Sequence, residues 1–268
     1  MQLRKLYNPI QPAVRQSGDN VTYREYLPAE ALNELIYCYW ELKTSAPLTE
    51  PFCYRVVADG CIDIYFDMND ASEKYVMGFC RKYTEFELAS SFHYFGIRFL
   101  PAMFPKLFKI DASELSNRFE FLQKVLPDVS EFINNVIFEL KDTDKIIRKL
   151  NDHFIALLAS ARLNNDPRVF EAIALILEKG GAIQTDSDIS TGLSSRQLRR
   201  LFQYYIGDTP KTFSKVVRFQ NILRAKPSLQ SLRKNKLFFD VGYYDQAHFI
   251  KEFKTFYGVT PTRAFGRE

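Results

Sequence analysis

The amino-acid sequence predicts an α+β protein with a β-rich sandwich or small barrel in front, then a pair of linker helices, then an all-α C-terminal part. Three observations carry this prediction: apolar and polar residues alternate within 50–110, apolar residues recur at helical spacing from about residue 128, and the basic C-terminal half contains an internal repeat. With 46% hydrophobic and 25% charged residues, the composition is that of a globular protein and excludes disordered or collagen-like chains.

Two segments carry the strand prediction. In residues 61–67, Ile62, Ile64 and Phe66 alternate with polar or mixed positions, which is the period of a half-buried strand. The aromatic-rich residues 92–99 predict a further strand, and short strands with intervening turns favour a sandwich or small barrel. The aromatic residues of this half favour a filled barrel core, and the lining of an apolar cavity is the alternative. They include Tyr54, Tyr65, Phe66, Phe79, Tyr94 and Phe95.

Apolar residues at helical spacing after residue 128 predict two antiparallel helices, which pack on the strands or against a second subunit. Their stripes are Val129, Phe132, Ile133, Val136, Ile137 and Leu140, then Ile147, Leu150, Phe154, Leu157 and Leu158. Residues 164–167 break the chain, and Pro167 suits the first turn of a new helix. The predicted division is a β-rich domain at 1–127, a helical linker or dimerisation region at 128–164, and an all-α domain at 165–268.

The charge of the chain is unevenly distributed. The formal net charge is +4, but residues 163–268 hold 17 Lys and Arg against 10 Asp and Glu, whereas the remaining residues hold 19 against 22. A basic module joined to a near-neutral one indicates that the C-terminal part meets a polyanion.

A weak internal repeat with an offset of 51 residues lies in the basic half. Gly207 and Pro210 in the first copy are matched by Gly258 and Pro261 in the second. In each copy a helix ends at glycine, which accepts the positive φ of a C-cap, and proline then prevents the helix from continuing.

Each repeated helix is predicted to be the recognition helix of a helix-turn-helix, with Ser194 and Asp245 as N-caps. The outer face of the first carries Ser195, Arg196, Arg199, Arg200 and Gln203. That of the second carries Gln246, Ala247, Ile250, Lys251 and Lys254. Because arginine holds guanine and glutamine holds adenine by paired hydrogen bonds, such faces suit the major groove of DNA. A solvated basic face on a helical bundle is the alternative interpretation.

These motifs resemble a known family. Residues 195–202 (SRQLRRLF), followed by GDTP at 207–210, resemble the first helix-turn-helix of the AraC/XylS family of bacterial transcription regulators. Residues 242–249 (GYYDQAHF), with GVTP at 258–261, are similar to that family's signature over the second unit. The resemblance implies two helix-turn-helix units, joined by a linker helix over 210–225, whose recognition helices enter successive major grooves. It further implies a transcription regulator, an activator by expectation, with double-stranded DNA and RNA polymerase as partners.

The resemblance implies base or phosphate contacts from seven of the outward residues: Arg196, Arg199, Arg200, Gln246, Ala247, Ile250 and Lys251. Two departures concern the supporting helices. Ser187 and Asp188 stand where the family has a Leu-Ala pair, and Phe238 stands where alanine is usual. These supporting helices are therefore predicted to be shifted or atypical.

The front half resembles a cupin-like N-terminal domain found on a subgroup of these regulators, through residues 55–64 and 96–101. In the family such a domain senses an effector or mediates dimerisation, which implies a small-molecule effector or a homodimer. Two alternatives remain open: a front domain that only dimerises, and a cupin-type metal enzyme attached to a DNA-binding domain.

Candidate metal ligands are sparse in the front half. Of three histidines, only His93 lies in the strand region, with Asp63 and Asp67 on one strand face, which is a poor metal set. The sequence therefore predicts no enzyme, no metal and no cofactor. The cysteines Cys38, Cys53, Cys61 and Cys80 lack zinc-knuckle spacing and are predicted to be small buried hydrophobic residues, with a redox sensor as the alternative.

The N-terminal residues lack the apolar stretch of a signal peptide, and the longest apolar run, 172–177, is too short to cross a bilayer. A cytoplasmic location without a membrane partner is therefore expected.

Overall fold

The computed structural model describes residues 3–12, 20–161, 163, 166–185, 187–225, 242–243 and 245–266. The strands are β1 (Val21–Tyr26), β2 (Ile36–Thr44), β3 (Phe52–Val56), β4 (Ile62–Asp67), β5 (Asp70–Met77), β6 (Thr84–Leu88), β7 (His93–Phe99) and β8 (Phe119–Phe121). The α-helices are α1 (Leu3–Leu6), α2 (Met103–Phe108), α3 (Leu122–Val125), α4 (Pro127–Phe132), α5 (Thr143–Ser160), α6 (Pro167–Glu178), α7 (Ser195–Ile206), α8 (Pro210–Ala225), α9 (Gln246–Tyr257) and α10 (Pro261–Phe265).

The front half is built on antiparallel sheets. Six strands form one sheet in the order β1-β2-β7-β4-β5-β8, and β3 pairs with β6 in a second, two-stranded sheet. The predicted α+β class, with a β-rich front half and a helical C-terminal half, is confirmed. Within the described residues, every helix is too short or too polar to span a lipid bilayer.

The alternation of β7 separates two cores on opposite faces of the six-stranded sheet. Phe95, Ile97 and Phe99 are fully buried in a large core that continues into the C-terminal helices. On the other face, Trp40 and Leu42 of β2 belong to a smaller core beneath the two-stranded sheet. The six aromatic residues singled out in the sequence divide between these faces. Phe66, Phe79 and Phe95 fill the large core, whereas Tyr54, Tyr65 and Tyr94 line a cavity.

Helices α4 and α5 follow the apolar stripes of the sequence. The α4 helix continues as one π-helical turn, Ile133–Ile137, and Asp142 caps α5 by accepting a hydrogen bond from the Lys145 backbone N–H at 2.9 Å. The ring of His153 in α5 stacks on Phe132 with centroids 3.8 Å apart. Burial lowers the pKa of His153, which favours the neutral imidazole of such a stack.

The linker helix α8 supplies the core of both C-terminal units. Phe213 and Phe219 are both fully buried; Phe213 lies 6.1 Å from Phe202 of α7, and Phe219 lies 5.4 Å from Phe253 of α9, centroid to centroid. Because one helix packs against both α7 and α9, their separation depends on α8.

The first unit departs from a regular helix-turn-helix. Between Glu178 and Ser195 the described residues contain no helix. Instead, Asp188 accepts a hydrogen bond from the Gln184 backbone N–H at 2.9 Å, and the Ser187 hydroxyl donates to Asp188 at 2.7 Å. Short polar side chains that bond nearby backbone groups compete with helix formation, so the departure at Ser187 and Asp188 has a local cause. Phe238 lies outside the described residues.

The prediction that all four cysteines are buried is wrong for Cys53. Cys38 and Cys61 are buried and Cys80 is partly buried, but Cys53 is exposed. It points away from the smaller core because its neighbour on β3, Tyr54, points into that core.

Candidate nucleic-acid interface

Recognition helix α7 begins and ends where the sequence dictates. The Ser194 hydroxyl accepts a hydrogen bond from the Gln197 backbone N–H, and the Gln197 side chain accepts one from the Ser194 backbone N–H, which completes a capping box. Gly207 ends the helix with φ +95°, a conformation that glycine adopts without strain. Leu198 and Phe202 are buried, so the opposite face is turned outward.

Helix α9 repeats this arrangement 51 residues later. Asp245 accepts a hydrogen bond from the His248 backbone N–H at 2.7 Å, and Gly258 ends the helix with φ +96°. Phe249 and Phe253 are buried, which again leaves the opposite face free of core contacts.

All ten residues predicted to meet DNA are exposed. They are Ser195, Arg196, Arg199, Arg200 and Gln203 on α7, and Gln246, Ala247, Ile250, Lys251 and Lys254 on α9. Five of them are cationic and none is acidic. A cationic helix face without carboxylates suits the phosphate-lined grooves of a duplex.

Glu252, the acidic residue of α9, does not lie on this exposed face. Glu252 is buried and paired with Arg218 of α8 at 2.9 Å and with Lys215 at 3.1 Å. Burial raises the pKa of Glu252, but Arg218, Tyr243 and Lys215 together outweigh burial and lower it. Arg218 also donates to the Gly242 carbonyl and lies 4.1 Å from the Tyr243 ring. This network fixes the start of α9 against the linker helix.

Lys211 is a further candidate contact, beyond the ten residues predicted from the sequence. It is exposed at the start of α8, and with Ser195 and Arg199 it lines a depression of about 160 Å³ beside the first turn of α7. The available signal was a lysine directly after the repeated Thr-Pro, in a helix N-terminus that favours phosphate.

The front half contacts the C-terminal end of both recognition helices. The backbone N–H groups of Tyr83 and Ala58 donate to the carbonyls of Thr255 and Phe256, at 3.2 and 3.4 Å, in the last turn of α9. The Ser116 hydroxyl donates to the Gly207 carbonyl at 2.6 Å, just after α7. Helix ends leave carbonyls without intrahelical partners, so the front half supplies part of their capping.

Further contacts bind the front half to the linker region. Gln220 of α8 is buried, donates to the Ala58 carbonyl at 2.8 Å and accepts from the Ile10 backbone N–H at 2.7 Å. Arg81 pairs with the buried carboxylate of Asp208, next to the end of α7. The two halves are therefore joined by directional hydrogen bonds that are buried or partly buried.

A cavity of about 400 Å³ lies between the six-stranded sheet and the two-stranded sheet. Its floor holds Arg98, which is 1% exposed and donates to Asp63 at 2.9 Å, while the Trp40 indole donates to the same carboxylate at 3.0 Å. Burial, together with the nearby Asp59, raises the pKa of Asp63 to about 6 against the opposing effect of Arg98.

Two of the three candidate metal ligands of the front half, His93 and Asp63, are paired with other side chains. His93 Nε2 lies 2.7 Å from Glu41 Oε1, and Asp63 is paired with Arg98. In the described part of the chain, no three His, Cys, Asp or Glu side chains form a group that would hold a metal ion.

Both halves of the chain match known protein families. Residues 190–267 match a family described as a helix-turn-helix domain, and residues 24–120 match a domain of unknown function (DUF6597). An uncharacterized HTH-type transcriptional regulator of Haemophilus influenzae is 33% identical over 102 residues, which cover 37% of this chain and 33% of the relative. The match thus spans about a third of that relative's length. Two crystal structures of ToxT from Vibrio cholerae align with 92% of this chain and 96% of theirs, at 11% and 12% identity and TM-scores of 0.41 and 0.32.

The matched helix-turn-helix domain contains both helices whose exposed faces carry the five cationic residues, and this arrangement is typical of DNA-binding domains. Residues 190–267 thus form a helix-turn-helix domain of the AraC type, and residues 24–120 form a DUF6597 domain.

Proposed function

We propose that this protein is a DNA-binding transcription regulator whose front domain senses a small-molecule effector and controls DNA binding by fixing the relative position of α7 and α9. The observation that carries this proposal is the capping of both recognition helices by front-domain residues. Ser116 contacts Gly207, and Tyr83 contacts Thr255. A change within the front domain therefore acts on both units at once.

The cavity is connected to these contacts through the two-stranded sheet. Tyr54 of β3 and Phe86 of β6 line the cavity. Ala58, two residues beyond β3, and Tyr83, directly before β6, hold the end of α9. An effector that displaces either strand shifts these capping contacts. Its binding therefore favours one position of α9 over another, which is the difference between states that regulation requires.

Control by covering the DNA-binding face is disfavoured. All ten outward residues are exposed while the front domain is docked on the C-terminal ends of the same helices. The DNA-facing side chains begin at the N-terminal ends, such as Ser195 and Gln246, away from the caps. Regulation through the spacing of the helices fits this arrangement.

We assign the outward residues two roles. Arg196, Arg199 and Gln246, near the helix N-termini, read base edges, because arginine and glutamine form paired hydrogen bonds with guanine and adenine. Lys251, Lys254 and the newly identified Lys211 contact phosphates and position the helices. Activation through RNA polymerase is the proposed output, on the family resemblance alone. A homodimer through the helical region at 128–164 is compatible with this scheme, and the proposed DNA-binding domain spans 165–268.

The experiment compares DNA affinity in full-length chains on a duplex selected from a random library. Ser116→Ala combined with Gln220→Ala removes one partly buried and one buried contact between the halves and leaves the DNA face untouched. The double variant is expected to bind the selected site more weakly while keeping its circular dichroism, and Ser91→Ala, an exposed serine, is the control. Unchanged affinity in the double variant would contradict positional control.

A further inference from the structure

Seven aromatic residues line the cavity between the two sheets. The ring of Tyr65 lies 6.4 Å from Trp40, 6.5 Å from Phe86, 6.5 Å from Tyr94 and 5.5 Å from Tyr75, centroid to centroid. These rings come from both sheets and therefore surround the space rather than cover one side. Aromatic rings have a negative electrostatic face, and several rings around one space attract a cation.

The charged residues that line the cavity are mostly acidic. Four carboxylates stand against one guanidinium: Asp63, Glu73, Glu85, Glu87 and Arg98. Lysine and histidine are absent from the described lining. A ligand that enters therefore meets an excess of negative charge.

The single lining cation is already neutralised. Arg98 Nη2 lies 2.9 Å from Asp63, and Nε lies 3.4 Å from Asp59. The remaining Nη1 is buried without a hydrogen-bond partner, and Glu25 lies 3.9 Å from it. Among the lining carboxylates, Glu85 is paired with Arg55 at 2.6 Å. An anionic ligand would thus have no uncompensated cation in the lining, and it would face carboxylates.

We propose that this cavity binds an organic monocation with an apolar body, a substituted amine or a quaternary ammonium compound. The inference rests on the proposed effector function and names the ligand class for the same site. The volume of about 400 Å³ lies within the range typical of small-molecule sites. The cationic head is held by the ring faces and the carboxylates, and the apolar body replaces water against Leu42, Met77 and Leu88.

The test uses two probes of the same shape and opposite charge, benzyltrimethylammonium and phenylmethanesulfonate. Trp40 is the sole tryptophan and lines the cavity, so its fluorescence reports binding without a label. The cation is expected to change this fluorescence saturably, and the anion is expected to bind at least about tenfold more weakly.

Variants link the fluorescence signal to the proposed contacts. Tyr65→Leu and Glu87→Gln should each weaken binding of the cation, by about tenfold for the ring. Tyr65→Phe keeps the ring and should retain binding. Glu131→Gln, an exposed glutamate outside the cavity lining, is the matched control.

The outcomes separate the ligand class from the effector role. Saturable binding of the sulfonate with no response to the ammonium compound overturns the cation proposal and leaves an effector site. Binding of neither probe, with the protein folded, overturns the cation proposal and removes support for a cavity sensor. Binding of the cation that leaves DNA affinity unchanged supports the ligand class and contradicts the proposed effector function.

Discussion

The backbone N–H of Tyr83 donates a hydrogen bond to the carbonyl of Thr255 at 3.2 Å, across the boundary between the sheets and the recognition helix α9. The Thr255 carbonyl lies in the last turn of α9, where carbonyls have no partner within the helix. The end of this helix is therefore completed by a residue 172 positions earlier in the chain.

The end of the other recognition helix, α7, also contacts the front half at the equivalent position of its repeat. Gly207 and Gly258 occupy matching positions, and each approaches the front domain closely. A Cβ on Gly207 would lie 2.4 Å from the Ser116 hydroxyl, and one on Gly258 would lie 3.0 Å from Arg55 and 3.1 Å from Tyr83. Glycine at these two positions thus serves both the positive φ of the cap and the contact with the front domain.

Gly258→Ala is expected to destabilise the chain and weaken the docking of α9. Alanine at φ +96° costs about 1–2 kcal/mol of backbone strain, and its methyl group presses on Arg55 and Tyr83. Gly192→Ala is the matched control, because Gly192 has φ +71° but no atom of the described residues lies within 4 Å of the added Cβ. Thermal denaturation should show a larger loss of Tm for Gly258→Ala, and equal losses would contradict the close contact.

Much of the recognition unit was predictable because its signals are local. The caps at Ser194 and Asp245, the terminal glycines and the outward faces follow from residues within one or two helical turns of each other. The atypical segment before Ser195, whose described residues contain no helix, was signalled by Ser187 and Asp188 in place of the family's Leu-Ala pair. Here short polar side chains close turns in place of a helix.

No local sequence pattern signalled the contacts between the two halves, and none signalled the cavity. Gln220 bonds Ile10 across 210 residues, and Tyr54 and Phe86 meet Tyr65 only because β3 and β6 pair and then cover the larger sheet. Nothing in the spacing of these residues along the chain specifies that pairing. The sequence therefore left open whether the aromatic residues filled a core or lined a cavity.

Glu41→Gln is expected to reduce the loss of stability in acid. Burial opposes ionisation of Glu41, but hydrogen bonds from His93, Lys43 and Tyr26 outweigh it and lower the pKa to about 2. A folded-state pKa below the unfolded value stabilises the fold above pH ~4.3, and this stabilisation is lost as the pH falls towards 2.

Urea denaturation from pH 6 to pH 2 should show that the free energy of unfolding of the Glu41→Gln variant depends less steeply on pH. Glu139→Gln, at an exposed site, should keep the wild-type profile, and parallel profiles for all three would refute this role of Glu41.

Phe253→Ala is expected to disable the second recognition unit without removing a DNA contact. Phe253 is fully buried and lies 5.3 to 5.8 Å from the rings of Tyr257, Phe219, Phe265 and Phe249. Truncating such a residue costs about 3–5 kcal/mol. Limited proteolysis should cut first C-terminal to α8 while the sheets survive. Phe121→Ala removes a ring that is 45% exposed and should stay resistant; if the two variants resist digestion alike, the packing assigned to Phe253 is wrong.

Arg199→Ala and Lys254→Ala are expected to weaken DNA binding in different ways. Loss of a base-reading arginine should cost about 1–3 kcal/mol on the preferred duplex and relax the preference at one base pair. Loss of a phosphate-binding lysine should weaken all sequences alike and reduce the slope of log affinity against log salt by about 1. Lys149→Ala, an exposed lysine of α5, should change neither quantity. A uniform loss for both helix variants would remove Arg199 from the base-reading set.

The full-length chain is expected to protect two short DNA segments about one helical turn, ~10 bp, apart on one face of the duplex. Both recognition helices expose their DNA-facing residues in one chain, and α8 packs Phe213 and Phe219 against the two units, so a monomer carries two readers at a fixed separation. A regulator with one helix-turn-helix per chain would instead need a dimer and a two-fold symmetric site.

Hydroxyl-radical footprinting of the full-length chain on a selected site tests whether two segments are protected. Arg196→Ala with Arg199→Ala should erase one patch and keep the other, whereas Gln246→Ala with Lys251→Ala should do the reverse. A single patch in the wild type, or the loss of both patches from either pair, would mean that the units do not read DNA separately.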